Sequence, residues 1–216
     1  MALLAALPAR AQDVPKPVTL SGFAEFVSDY RFRGVSRSDL GPAGQGSIRL
    51  DSAPGFYAAT FVSSVAPRAN GGADAEVDLY GGWSGEVRGW KPDAGVYGYI
   101  FPGGRGRDFY EVYADVSRDL GPLSGTVGVN YAPAQGAGRD NTYVYGSLSA
   151  GVPRTPVTLK AGVGYEDGVF AAHKLDWNLG ASVRRGRLSA GLSYVDASAR
   201  GRLARAGPVV SLSWGF

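Results

Sequence analysis

Residues Gly207 to Phe216, GPVVSLSWGF, constrain the fold more than any other stretch. Pro208, Val210, Leu212, Trp214 and Phe216 share one parity; Val209, Ser211, Ser213 and Gly215 share the other. A period of two is the signature of a β-strand, and here one face is wholly apolar. Chain ends ordinarily sit in water, so two aromatics on one face of a final strand are out of place in a soluble protein. A strand that closes a barrel in lipid carries its aromatics at this position.

The same alternation recurs along the chain. The pattern predicts strand one over Val18 to Phe32, with Leu20, Gly22, Ala24, Phe26, Tyr30 and Phe32 on one face and Glu25, Asp29 and Arg31 on the other. Strand two turns Ile48 and Leu50 out and Gln45, Arg49 and Asp51 in. Strand three, Phe56 to Val65, is apolar on both faces, so its facing stays open. Strand four places Val77, Leu79 and Trp83 out, with Glu76, Asp78 and Tyr80 in. Strand five starts at Asp93, and strand six, from Phe109, has Glu111, Tyr113 and Asp115 in. Later strands follow suit around 123–131, 144–150, 157–166, 175–184 and 188–195, with Lys160 and Asp176 among the inward residues.

The total is about twelve strands, an even number, as single-chain outer-membrane barrels have. Short turns follow even strands and longer loops follow odd ones. The expected fold class is therefore all-β: a transmembrane antiparallel up-and-down β-barrel over residues 18–216. No run reaches the ~18 apolar residues of a spanning helix. With 33 Gly, 12 Tyr, 9 Phe and 4 Trp, the chain suits a strongly curved sheet with aromatic belts.

Alternation alone cannot say which face is oily. Charged residues on the strands fall on a single parity, and they are too many to fill a dry core, because each buried unpaired charge costs several kcal/mol. A soluble barrel or sandwich would put the apolar face inside. The N-terminus agrees with the membrane reading. Ala2 to Pro8 is apolar, and Ala9-Arg10-Ala11 is a small-x-small cleavage site. Residues 1–11 read as a signal peptide that has lost its basic start, with 12–17 as a lead-in. Export places the barrel in a bacterial, Gram-negative, outer membrane. The formal net charge of +3 is small and spread out, so no basic stripe argues for nucleic acid. There is no Cys, hence no disulfide and no thiolate metal site.

SDYRFRGVS, Ser28 to Ser36, is the most distinctive segment. With GFYAATFVSSV, AEVDLYGGW, DAGVYGYIFPGG and DFYEVYADVSRDLGP, it makes most of Ser21 to Pro122 resemble the TorF family of porins. The second half matches only as generic barrel strands. The resemblance implies export, a single barrel and a pore, and it supplies no catalytic residues. The terminal Phe216 resembles the C-terminal signal read by the barrel-assembly machinery.

Twelve inward residues are candidates to line a pore: Glu25, Asp29, Arg31, Arg49, Glu76, Asp78, Tyr80, Glu111, Tyr113, Asp115, Lys160 and Asp176. A mixed acid–base lining can pass small polar solutes or ions and set their selectivity. Acids outnumber bases, so a weak cation preference is expected. The same residues can instead form a salt-bridged plug in a structural or assembly barrel, since twelve strands make a narrow bore compared with 16–18. Trp83, Tyr110, Tyr131, Tyr165, Trp177, Tyr194, Trp214 and Phe216, near strand ends, read as aromatics at the two membrane interfaces. Arg105, Arg107, Arg200, Arg202 and Arg205 lie in loops that can meet lipopolysaccharide. The one His, His173, has no nucleophile motif beside it, so an enzyme ranks third and no catalytic residue is named. A single His among scattered carboxylates lacks metal-ligand spacing, and no cofactor is expected.

Overall fold

Each hydrophobic/polar alternation seen in the sequence becomes one strand of a closed wall. The computed structural model describes residues 18–135 and 138–216. The expected signal peptide and lead-in, residues 1–17, lie outside the described residues. Twelve strands form the barrel: β1 Thr19–Val27, β2 Ala43–Asp51, β3 Phe56–Ser64, β4 Ala75–Ser84, β5 Trp90–Ile100, β6 Phe109–Leu120, β7 Leu123–Ala132, β8 Asn141–Gly151, β9 Val157–Gly168, β10 Lys174–Arg185, β11 Leu188–Ala197 and β12 Gly207–Gly215. Each pairs antiparallel with its sequence neighbours, and β1 pairs with β12 to close the cylinder. Closure leaves the barrel wall, among the described residues, without a free strand edge. The sequence also continues the ladder past β12: the Phe216 N–H donates to the Gly22 carbonyl, and the Gly22 N–H donates back.

The oily face is outside. Leu20, Ile48, Leu79, Val96, Val127, Leu159, Leu179, Leu192 and Leu212 all stand exposed on the outer surface, while Glu76 and Glu111 are fully buried inside. Strand three, which the sequence left open, puts Phe56, Ala58, Thr60 and Val62 outward and buries Tyr57 and Ser63 inward.

Strand one does not run to Phe32. It stops at Val27, and residues 28–42 leave the wall. Arg31–Phe32 pairs with Val35–Ser36 as a two-stranded ribbon across a two-residue turn, Arg33-Gly34. Both turn residues have positive φ, 48° and 82°, the backbone of a type I′ hairpin. Gly34 takes this conformation without a Cβ clash, whereas Arg33 is held there against its preference. The outward facing expected of Tyr30 and Phe32 is thus corrected: both pack inside, Tyr30 6.0 Å from Phe61 and Phe32 5.5 Å from Tyr99, between ring centroids.

The loops that follow odd-numbered strands all emerge at one end, the loop end, and the short turns lie at the other, the turn end. The interior is wet only in part. At the loop end Val65, Ala73, Tyr99, Phe101 and Phe109 form a small apolar core, against which Tyr30, Phe32 and Tyr97 pack. The charge-lined sequence pattern gave no hint of this dry patch, because Tyr30 and Phe32 reach it only through the inturned loop.

Candidate functional site

The turn of the ribbon stands across the bore. Arg33, rooted after β1, donates from Nη2 to Glu111 Oε2 on β6 at 2.6 Å and from Nη1 to Glu166 Oε1 on β9 at 2.7 Å. Its guanidinium also lies 4.3 Å from the ring centroid of Tyr143 on β8. Lys174 on β10 donates to the Arg33 carbonyl at 2.8 Å and pairs with Glu166 at 2.5 Å. Glu111, Glu166, Lys174 and the Arg33 side chain are all buried. Burial opposes the charge on Arg33, but Glu111 and Glu166 more than offset it and hold its pKa above the usual guanidinium value.

Asp29 braces the loop from within. It accepts from Arg31 Nε and from Ser36 Oγ, each at 2.5 Å, and from Ser38 Oγ at 3.2 Å. Arg31 also reaches the Leu203 carbonyl, tying the ribbon to the last loop. Arg37 sits between the rings of Phe32 and Phe101, 4.8 and 5.2 Å from their centroids, and bonds Asn70 Oδ1. Below it lie Glu76 and Asp78. Both are buried, and among the described residues neither oxygen of Glu76 nor Oδ1 of Asp78 has a hydrogen-bond partner. Burial, then the Glu76 and Asp78 charges, push the Tyr30 phenol well above its ordinary pKa.

From the loop end toward the middle of the bore runs a column of rings, stacked except for the tilted Phe109–Phe170 pair. Tyr80 lies 4.4 Å from Tyr97, Tyr97 4.7 Å from Tyr99, Tyr99 4.2 Å from Phe109 and Phe109 4.6 Å from Phe170. Toward the turn end the interior opens into a cavity of about 320 Å³ with Arg49, Tyr57, Asp93, Tyr113, Asp115 and Tyr145 on its walls. Glu25 and Lys160 also face this wider half.

The expected lining residues therefore separate into two groups. Asp29, Arg31, Glu76, Asp78, Glu111 and Asp176 belong to the closed loop end. Glu25, Arg49, Tyr80, Tyr113, Asp115 and Lys160 belong to the open half. Asp29 and Arg31 sit on the inturned loop rather than on a strand. Arg33, Arg37, Asp93, Glu166 and Lys174 were not among those candidates: Arg33, Glu166 and Lys174 form, with Glu111, the buried ion pairs, Arg37 bonds Asn70, and Asp93 accepts from the Tyr57 and Tyr113 hydroxyls. The signal for Arg33 was present: Phe32-Arg33-Gly34-Val35 is a two-residue spacer between β-formers.

The eight interface aromatics all stand on the outer surface, 37 to 53 % exposed. Tyr110, Tyr131, Tyr165, Trp177 and Tyr194 ring the loop end; Trp83, Trp214 and Phe216 ring the turn end. Trp90 and Phe56 extend the lower ring. His173 lies on the loop-end rim, 2.7 Å from the Tyr165 hydroxyl and 3.4 Å from Asp167, with no serine among its partners. Among the described residues no group of three His, Cys, Asp or Glu side chains is placed to hold a metal.

The family model described as "Bacterial protein of unknown function (Gcw_chp)" matches residues 11–210. No curated protein matches the chain in sequence. Among solved structures, the KdgM porin is similar at 9 % identity and a TM-score of 0.63, over 92 % of this chain and 98 % of that one; the same porin is also known in complex with disordered oligogalacturonate. The NanC porin is similar at 10 % identity and 0.62, over 92 % and 99 %. OmpF of Salmonella typhi is similar at 7 % identity and 0.52, over 92 % and 97 %. At these identities the likeness is one of fold.

Proposed function

The chain belongs to the Gcw_chp family, and from that premise we propose that it is an outer-membrane channel for small polar solutes or ions whose first loop closes it in the resting state. The observation that carries this reading is the division of the lumen: a tied, type I′ ribbon at the loop end above a polar, tyrosine-walled vestibule. A wall with an oily exterior and aromatic rings at both ends is suited to lipid, which supports a place in the bacterial outer membrane and agrees with the TorF-like motifs. The porin-like fold supports the channel. Acids exceed bases along the lumen, so passage weakly favours cations. Loop arginines Arg105, Arg107, Arg200 and Arg205 are exposed at the loop end, where lipopolysaccharide lies, while Arg202 is paired with Asp39. The barrel-assembly machinery would read β12 and Phe216.

A second reading is favoured by the Arg33 network: a permanently plugged barrel with a structural role. Recording in planar bilayers separates the two. The channel gives discrete current steps and, in a KCl gradient, a reversal potential on the cation side. Absence of steps at every voltage, with the ribbon intact and with it removed, leaves only the structural barrel.

A further inference from the structure

The turn-end cavity has a chemistry of its own. Three tyrosines reach sideways from their strands and set their phenols on inward glycines of the adjoining strand: Tyr57 on Gly82, Tyr113 on Gly95, Tyr145 on Gly128. A Cβ built on these glycines would stand 2.9, 2.8 and 2.6 Å from the three hydroxyl oxygens. The phenols are thus held against the wall and line the lumen as an aromatic surface. Their hydroxyls converge on two carboxylates. Tyr57 and Tyr113 donate to Asp93 Oδ1 at 2.6 and 3.2 Å, and Tyr145 donates to Asp115 Oδ2 at 3.1 Å.

Asp93 and Asp115 face each other directly across the β5–β6 ladder. Like charges in that position destabilise a sheet, yet among the described residues neither makes a salt bridge. The one guanidinium on the cavity wall, Arg49, is engaged elsewhere: it pairs with Asp51 at 2.8 Å and lies 3.6 Å from the Tyr57 ring centroid. That stacking shows a ring face in this cavity already accepting a cation.

We propose that the cavity between Asp93 and Asp115 binds an organic ammonium ion, such as an alkyl polyamine. Ammonium N–H groups would donate to the free carboxylate oxygens and relieve the facing charges, while the alkyl chain and its cationic ends lie on the tyrosine faces. A bare metal ion fits poorly, because a hard cation needs six or more oxygens. An anionic sugar acid meets repulsion from both aspartates. This inference deepens the channel reading by naming a solute class, but it concerns equilibrium binding, so the two can fail separately.

The test is titration of the refolded full chain in detergent with spermidine, by calorimetry. Saturable binding is expected, weakened at least tenfold by Asp93→Asn together with Asp115→Asn. Asp119→Asn, outside the cavity, should leave it unchanged. Heat-modifiable migration on gels confirms that each variant is folded, and the asparagines remove repulsion rather than packing. Binding without conductance upholds the site and rejects the channel. No saturable binding, equal affinity in the double variant, or stronger binding of an oligogalacturonate or of neutral maltotriose overturns the site.

Discussion

Arg33 and Glu111 meet across the bore at 2.6 Å, one from the loop after β1 and the other from β6. No strand pairing brings them together; only the inward fold of residues 28–42 does. The pair and its partner Glu166 are buried, so removing either side leaves an uncompensated charge, at a cost of about 3–5 kcal/mol. The loop is therefore pinned at its tip, at its base through Asp29, and sideways through Arg37 and Asn70.

Such pinning should make the loop resistant to proteases despite its arginines. Trypsin should spare Arg31, Arg33 and Arg37 in the folded wild-type barrel. Arg33→Ala or Glu111→Gln should speed cleavage at Arg37 at least tenfold, read by mass spectrometry of the fragments. Arg33→Lys should not restore protection, because lysine lacks the planar fork that reaches Glu111 and Glu166 together. Equal cleavage rates in all four proteins would show that the pair does not secure the loop.

Selectivity can be separated from closure. Asp78 is buried beneath Arg37 and is not a partner of Arg33. In a ribbon-trimmed channel, Asp78→Asn should move the reversal potential in a KCl gradient toward zero without changing the single-channel conductance more than about twofold. An unchanged reversal potential would remove Asp78 from the ion path.

Glycine seats carry a stability prediction. A Cβ on Gly128 would lie 2.5 Å from Tyr145 Cζ and 2.7 Å from Asp115 Cβ. Gly128→Ala should cost about 1–3 kcal/mol and lower the temperature at which the barrel loses its compact gel mobility. Adding Tyr145→Ala should recover part of that loss. Full stability of Gly128→Ala alone would contradict the seating of the tyrosine.

The facing of the wall is tested by placing one charge on each side. Leu179, outward at mid-strand, is 60 % exposed on the oily surface; Ser182, three residues on, faces the lumen. Leu179→Arg should reduce the stability of the barrel in lipid vesicles by about 2–4 kcal/mol in urea titration, and Ser182→Arg by less than about 1. Equal penalties would mean the two faces share one solvent.

Strand number, closure and the facing of every strand but the third were legible in the sequence, because side-chain direction has a strict period of two; Phe56 to Val65 is apolar on both faces and gave no sign of its facing. The loop–turn asymmetry was legible from length alone. Residues 28–36 misled the same reasoning: Tyr30 and Phe32 keep the parity of β1, so the pattern ran on past Val27 where the backbone turns inward. What holds the loop inward is partly long-range: Asp29 takes its hydrogen bonds within the loop from Arg31, Ser36 and Ser38, but Arg33 finds its acids on β6 and β9, far from β1 in the chain. The vestibule was half legible: Tyr80, Tyr113 and Asp115 stood out, but Asp93 and Tyr145 gain meaning only from the register that brings them together.

The most direct test is the single-channel conductance of the full chain beside a variant in which residues 30–37 are replaced by a short Gly-Ser link. The closed-channel account expects small, infrequent steps from the full chain and a several-fold larger, steadily open conductance from the variant. Identical currents from the two, or silence from both in a correctly folded barrel, would contradict it.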